Sequence, residues 1–265
     1  MANRQNFDAR KKSAVQEARP DSTRRRVAAT VVDDIRCNVE DELFAILKAA
    51  VLNPDPQVCR KAVRSSVTQG TRPEDLADFY IPAIARDLGD LWCEDQLGFA
   101  NVTIGVSRLQ AMMRELGPNW ASDNASNPAA PSILLIVLQD VYHTLGAIVL
   151  TSQLRRKGYS VKLLLGSSAE VIAQRILRTT YNCVFISSSR GETLESLRRV
   201  IDAMKTSMNN PPPVVVGGSI LEVETEEDIT ALTGADYATR IPSEALRLCG
   251  LQDMTLEAVR ANGGT

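Results

Sequence analysis

The run Ser132-Ile-Leu-Leu-Ile-Val-Leu138 is apolar at every position after the first, so it shows no alternation between a wet and a dry face. A helix-length segment follows near residues 145–157, then a second short run, Ser160-Val-Lys-Leu-Leu-Leu165. The unit repeats: Cys183 to Ser187, Val214 to Val216 and Ala235 to Thr239 alternate with helical segments near 169–178, 193–207, 225–232 and 242–249. Strands that are apolar on both faces and separated by helices predict a parallel sheet covered on both sides, and right-handed crossovers make it doubly wound. In such an α/β sheet a ligand crevice lies at the carboxyl ends of the strands.

Upstream of that unit the period changes. From about residue 31 to 116 the apolar residues step by three and four. Val32, Ile35, Val39, Leu43 and Leu47 precede Asn53-Pro54, and Val58, Val63 and Val67 precede Gly70. Leu76, Tyr80, Ile84, Leu88 and Leu91 form a third stripe, opened by Thr71-x-x-Glu74, which with Pro73 reads as a capping box. Phe99, Val102, Val106, Leu109, Met113 and Leu116 form the fourth, closed by Gly117. Amphipathic helices with short connections bury their stripes against one another, which predicts a four-helix bundle. Residues 117–131 are rich in Pro, Asn, Ser and Ala and read as a linker. The expected organisation is an arm at 1–30, the bundle at 31–116, the linker, and the α/β domain at 132–265.

With 265 residues, 44% of them hydrophobic and 23% charged, the chain can bury one large core or two modest ones. A net charge of −2 and a pI near 5.6 exclude a protein that coats nucleic acid. The apolar runs fall far short of the roughly 18 residues of a membrane span, and the polar, basic N-terminus has no apolar segment behind it. A cytoplasmic protein without membrane association is expected. Cysteines 37, 59, 93, 183 and 249 form no CxxC motif, so reduced thiols and no structural zinc are expected. Residues 1–26 carry eight basic against three acidic side chains and few large apolar ones. This arm is either a solvated tail or a segment making a weak DNA or partner contact.

His143 is the chain's single histidine, which excludes HExxH metalloproteases and di-metal sites rich in histidine. It stands in the first crevice loop, Asp140-Val-Tyr-His143-Thr144-Leu145-Gly146. The third strand ends in Ser187-Ser188-Ser189-Arg190-Gly191 and the fourth in Gly217-Gly218-Ser219. Taken one at a time, a loop histidine is commonly solvated, a serine triplet commonly caps a helix, and a glycine pair commonly serves a turn. Their spacing is more specific. Between Gly146 and Ser188 lie 41 residues, and between Arg190 and Gly217 lie 26.

That constellation resembles the fingerprint of base-off/His-on cobalamin-binding domains, Asp-x-His-x-x-Gly followed by Ser-x-Leu and Gly-Gly at matching intervals. The resemblance implies a flavodoxin-like domain in which His143 is the lower axial ligand of cobalt. The displaced nucleotide base would enter a slot beside Ser187, Ser188, Gly217, Gly218 and Ser219, with Thr144, Leu145 and Gly146 lining the cofactor. It extends to the ending Gly234-Ala235-Asp236 and to the bundle, where the segment Leu91-Trp92 through Leu109-Gln110 resembles the helical cap before such domains. By resemblance to light-sensing cobalamin proteins, Trp92 covers the upper face of the corrin; the other reading is core filler. Its neighbour Cys93 is read as buried rather than as a cobalt ligand.

The wording His143-Thr-Leu-Gly-Ala147, with Ser152-Gln-Leu-Arg-Arg-Lys-Gly158 after it, is similar to the AerR/PpaA group of cobalamin-binding regulators. In phototrophic bacteria that group acts as antirepressor on DNA-binding repressors of the PpsR/CrtJ type. The implied cofactor is hydroxo-, methyl- or adenosylcobalamin, with haem as a less favoured alternative on the same fold. A corrinoid methyl carrier is the competing reading. Two departures weigh against a carrier: Val141 stands where the fingerprint has its aspartate, and Arg190 and Leu194 stand where it has leucine and a relay hydroxyl. No catalytic residue is assigned, and a non-enzymatic sensor is expected.

Overall fold

The computed structural model describes residues 41–117, 120, 130–138 and 144–251. The basic arm, the stripe positions Val32, Ile35 and Val39, most of the 117–131 segment, and the loop carrying Val141 and His143 lie outside the described residues.

The helical part comprises α1 (Asp41–Leu52), α2 (Pro56–Thr68), α3 (Pro73–Asp75), a π-helical turn (Leu76–Tyr80), α4 (Ile81–Cys93) and α5 (Phe99–Leu116). The π turn has a cause in the sequence. Pro82 has no N–H to give the carbonyl of Asp78 four residues back, and its ring would collide with that carbonyl, so the backbone widens. Ile81 N–H accordingly donates five residues back, to Leu76 O.

Leu47, Ala50 and Val51 of α1 meet Cys59 and Val63 of α2, Leu76, Tyr80, Ile84 and Leu88, and Leu109, Met112 and Met113 of α5. Gly105 marks a close helix crossing: a Cβ there would stand 2.8 Å from Leu88 Cδ1. Three expectations are corrected. The inner face of α2 is Cys59, Val63 and Ser66, while Val67 is exposed, because the Ser66 hydroxyl donates to Ala62 O and can be buried. Phe99 heads its helix outside the packed stripe and is 70% exposed. The capping box at Thr71 does not form; Pro73 at the first helical position makes Arg72 the N-cap, and its guanidinium donates instead to Asp75 at 2.9 and 2.6 Å.

The α/β part runs β1 (Ser132–Leu138), α6 (Leu145–Arg156), β2 (Ser160–Ser167), α7 (Ala169–Arg178), β3 (Cys183–Ser188), α8 (Leu194–Thr206), β4 (Val214–Gly218), a 3₁₀ turn (Ser219–Glu222), α9 (Glu226–Thr233), β5 (Tyr237–Ala238) and α10 (Pro242–Leu248). All pairings are parallel in the order β2-β1-β3-β4-β5. Alternate residues feed two cores. Leu134, Ile136, Val184, Ile186, Val214 and Val216 pack under α7, α8 and α9. Ile133, Leu135, Val137, Val161, Phe185 and Val215 pack under α6 and α10. The sheet is thus apolar on both faces because both are covered, as its sequence predicts. Asp236, singled out for its family-like setting, braces this core: its carboxylate accepts from Val214 N at 2.8 Å and from Lys205 Nζ at 2.7 Å.

From residue 40 onward helices and sheet form one compact unit. The joint is polar. Arg156 Nη2, near the end of α6, donates to both carboxylate oxygens of Asp78 in the π turn at 2.5 and 2.6 Å, and the guanidinium lies 4.3 Å from the Trp120 ring centroid. Near the other end of α6, Gln110 Nε2 of α5 donates to Thr144 Oγ1 at 3.0 Å. No helix among the described residues is long and apolar enough to cross a membrane.

Since Arg156 and Asp78 are only 16% and 22% exposed, removing the guanidinium strands a carboxylate at the joint. Arg156→Ala is expected to lower unfolding stability by about 1–3 kcal/mol. Urea denaturation of wild type and variant measures it, and an unchanged midpoint would show that the joint does not depend on this pair.

Candidate functional site

The carboxyl edge of the sheet is where the sequence places its unusual residues, and the structure brings most of the described ones together. β3 and β4 stay in register to their last residues, pairing Ser187 with Gly217 and Ser188 with Gly218. Gly218 has φ +103°, a conformation that L side chains avoid, and a Cβ on it would lie 2.3 Å from Ser188 O. At Gly217 a Cβ would lie 3.0 Å from Thr239 O. The glycine pair therefore lets β4 lie tight between its two neighbours. This differs from the expected reason, an empty slot beside both glycines: neither missing side chain points into open space.

Polar atoms at this edge lack partners. Ser188 is 3% exposed, and its hydroxyl has no hydrogen-bond partner among the described residues. Four residues on, Glu192 accepts from Ser189 N at 2.6 Å through Oε2, while its buried Oε1 has no partner among those residues. Buried polar atoms in folded proteins are nearly always satisfied, and an orphan costs about 1–3 kcal/mol. Two orphans within one loop mark the place where a polar ligand would complete the fold.

Across the crevice, Leu145 is buried, Gly146 is exposed, and Thr144 is tied to the bundle through Gln110. A Cβ on Gly146 would meet nothing within 4 Å, and its φ is not in the left-handed region. Nothing in the described chain requires a glycine there. His143 lies outside the described residues, in the segment joining the carboxyl end of β1 to α6.

Ser219 opens the 3₁₀ turn that carries Glu222, the centre of a clamp that the sequence does not reveal. Arg190 Nε donates to Glu222 Oε2 at 2.5 Å, and Arg240 Nη2 donates to Oε1 at 2.9 Å. One carboxylate thereby ties the loops after β3, β4 and β5. Arg86 of α4 stands within electrostatic range of Glu222, Arg240 and Asp90. Partial removal from water, opposed by Glu222 and reinforced by Arg240, holds its guanidinium below the usual range. The helix that bears Trp92 thus passes beside the crevice loops.

Trp92 is 46% exposed and packs against Phe99, with ring centroids 6.2 Å apart at 57°. It is not core filler. Cys93 is also exposed, contrary to the expected burial, because α4 ends there, past the buried positions Ile84 and Leu88. Leu194, in place of a relay hydroxyl, packs against the core under α8. Among the described residues no cluster of three or more His, Cys, Asp or Glu could hold a metal ion.

The residues present fit a corrin: an orphan hydroxyl at the tip of β3, an unfilled position at Gly146, and a clamp of polar groups at the rim. The B12 binding domain family matches residues 131–247. The 20.5 kDa protein in the bchF-crtJ intergenic region of Rhodobacter capsulatus is 31% identical over 166 residues, which cover 63% of this chain and 85% of that protein. The structure of the Methanosarcina barkeri monomethylamine corrinoid protein superposes with a TM-score of 0.64 at 14% identity, covering 79% of this chain and 98% of that one, and shares its fold. A cobalamin-binding protein of Desulfitobacterium hafniense DCB-2 aligns at 19% identity over 80% of this chain and 98% of its own, with a TM-score of 0.41. The chain belongs to the family of the Rhodobacter capsulatus protein, the AerR/PpaA type that its crevice motifs resemble, and it carries that type's B12 binding domain.

Proposed function

We propose that the chain holds cobalamin at the carboxyl edge of the sheet, with His143 as lower axial ligand, and reports the cofactor's state to a DNA-binding repressor of the PpsR/CrtJ type. The observation that carries the cofactor reading is the buried hydroxyl of Ser188 at the end of β3, which has no hydrogen-bond partner among the described residues. Bound cobalamin would supply a cobalt centre whose remaining ligand can be exchanged. The chain supplies a neutral imidazole to hold the metal, a hydroxyl for the displaced base, and Trp92 over the opposite face.

Regulation rather than catalysis follows from what surrounds the histidine in sequence. A methyl carrier would need neighbours of the histidine that take up and release its proton. Val141 and Leu194 offer neither a carboxylate nor a hydroxyl for that work. A sensor needs only that the two cofactor states contact the cap differently. The cytoplasm fits such a partner, and the arm at residues 1–26 offers basic charge for weak DNA contact.

Absorption spectra of the apoprotein titrated with hydroxocobalamin, adenosylcobalamin and haemin test the cofactor. One corrin per chain is expected with a cobalamin, and retention of haemin alone would transfer the site to haem. His143→Ala is expected to lose the corrin on gel filtration while keeping the wild-type circular dichroism; full retention would remove His143 as ligand.

Gly146→Leu separates ligand contact from folding. Since the open position meets no atom of the described residues, the apoprotein's unfolding free energy is expected to stay within about 1 kcal/mol of wild type, while corrin affinity drops about tenfold or more. Equal affinity would place the ligand away from α6.

For the regulatory step, affinity for the cognate repressor is measured with apo, dark-loaded and illuminated protein. At least one state is expected to differ about fivefold or more from the others. Equal affinity in all three, together with methyl transfer from bound methylcobalamin to a thiol through a partner enzyme, would establish the carrier instead.

A further inference from the structure

Arg190 is the residue that breaks the Ser-x-Leu motif, and the cofactor reading assigns it no task. It is 65% exposed, yet it is bound to Glu222 on a different loop, and the same carboxylate binds Arg240. A latch between loops needs one cation for one carboxylate. Here Glu222 holds two guanidiniums, each donating to a different oxygen, and Arg86 approaches from the bundle with Asp90 beside it. Glu192, whose carboxylate accepts from Ser189 N next to Arg190, is the further acid on these loops, so the case for a ligand rests on free donors rather than on net charge. A guanidinium has five N–H donors. Glu222 engages Nε and Nη2 of Arg190 and Nη2 of Arg240, so donors remain for a further acceptor.

We propose that Arg190 and Arg240, oriented by Glu222 and backed by Arg86, form a subsite for a singly charged phosphodiester, the group that links the corrin to the nucleotide base of cobalamin. The proposal rests on the cofactor reading above and adds which part of the cofactor these residues select. The chemistry matches in two respects. Arginine forks bind phosphate oxygens with two parallel hydrogen bonds. The clamp also stands on the loops after β3, β4 and β5, beside Ser188, where the base would enter. Glu222 takes no part in binding the anion; it is a positioning residue that keeps both forks at the rim.

The test uses the full chain and two ligands, cobalamin and cobinamide, the corrin that lacks the phosphate-linked nucleotide. Affinities are measured by spectroscopic titration for wild type, Arg190→Gln and Arg240→Gln, at low and moderate salt. Each substitution is expected to weaken cobalamin about tenfold or more, leave cobinamide within about twofold, and reduce the salt dependence of cobalamin binding. The missing base affects wild type and variants alike, so the ratio of ratios isolates the arginine contribution. Thermal melts check folding. If Arg240→Gln melts early, Arg190→Gln alone decides, since Arg190 is an exposed loop residue in a position where relatives of the motif carry leucine.

An equal drop for both ligands would make the clamp a loop brace only and overturn the proposal, as would unchanged cobalamin affinity. Inorganic phosphate is titrated separately. Stoichiometric phosphate binding that persists when cobalamin is bound would assign the cluster to a free anion and overturn the assignment to the tail. Wild type that binds neither corrin would remove the cofactor reading, and this subsite with it. Wild type that binds both, with no ligand-specific effect of either arginine, would leave the cofactor reading standing and sink the subsite alone.

Discussion

The carboxyl edge depends on how closely β4 can lie against β3 at their last pair. Any side chain at Gly218 would overlap the Ser188 backbone, and the residue's φ of +103° excludes most L residues independently. Because the two strands remain paired to that point, the chain enters the Ser219–Glu222 turn directly above the tip of β3. Glu222 then reaches back to Arg190 and across to Arg240. The same approach buries Ser188 without giving its hydroxyl a partner among the described residues. A buried orphan of this kind costs about 1–3 kcal/mol, which the core under α7, α8 and α9 must offset until a ligand takes up the hydroxyl.

A second constraint arises in the bundle. Pro82 forces a widened turn, and that turn presents Asp78 to Arg156 on α6. One residue without an N–H thus helps to set how the cap meets the sheet. Proline in a helix usually gives a kink; here the irregular backbone forms part of a polar contact between two halves of the molecule.

The sheet was legible in the sequence because its strands are buried on both faces, so composition and length alone identify them. The bundle was legible in outline and less so in detail. Ser66 rather than Val67 lies inside because a serine on a helix can satisfy its hydroxyl at the preceding turn, which a hydrophobicity stripe cannot express. Thr71 looks like a cap, but Pro73 starts the helix one residue later. Gly217 and Gly218 were recognised as site residues for a reason that the structure changes, from leaving room for a ligand to allowing strands to touch. The Glu222 clamp was out of reach altogether. Its partners lie 32 and 18 residues away, and only the sheet order brings the loops after β3, β4 and β5 together. Its one trace in sequence was negative: an arginine where the motif has leucine.

The attachment of the cap to α6 is uneven, and this bears on how a cofactor could act as a signal. At the end of α6 far from the crevice stands a carboxylate–guanidinium pair, mostly buried and stacked on Trp120. At the crevice end stands a single neutral hydrogen bond from Gln110 to Thr144. A neutral bond contributes about 0.5–1.5 kcal/mol, and a charge-assisted one about twice that. The two anchors are separated by the 12 residues of α6, about 18 Å of helix. The weaker anchor is therefore the one on Thr144, the residue that follows His143, at the end of α6 nearest the crevice. For the sensor proposed above, a gain or loss of about one hydrogen bond's worth of contact at this end would be comparable to what the weaker anchor itself contributes.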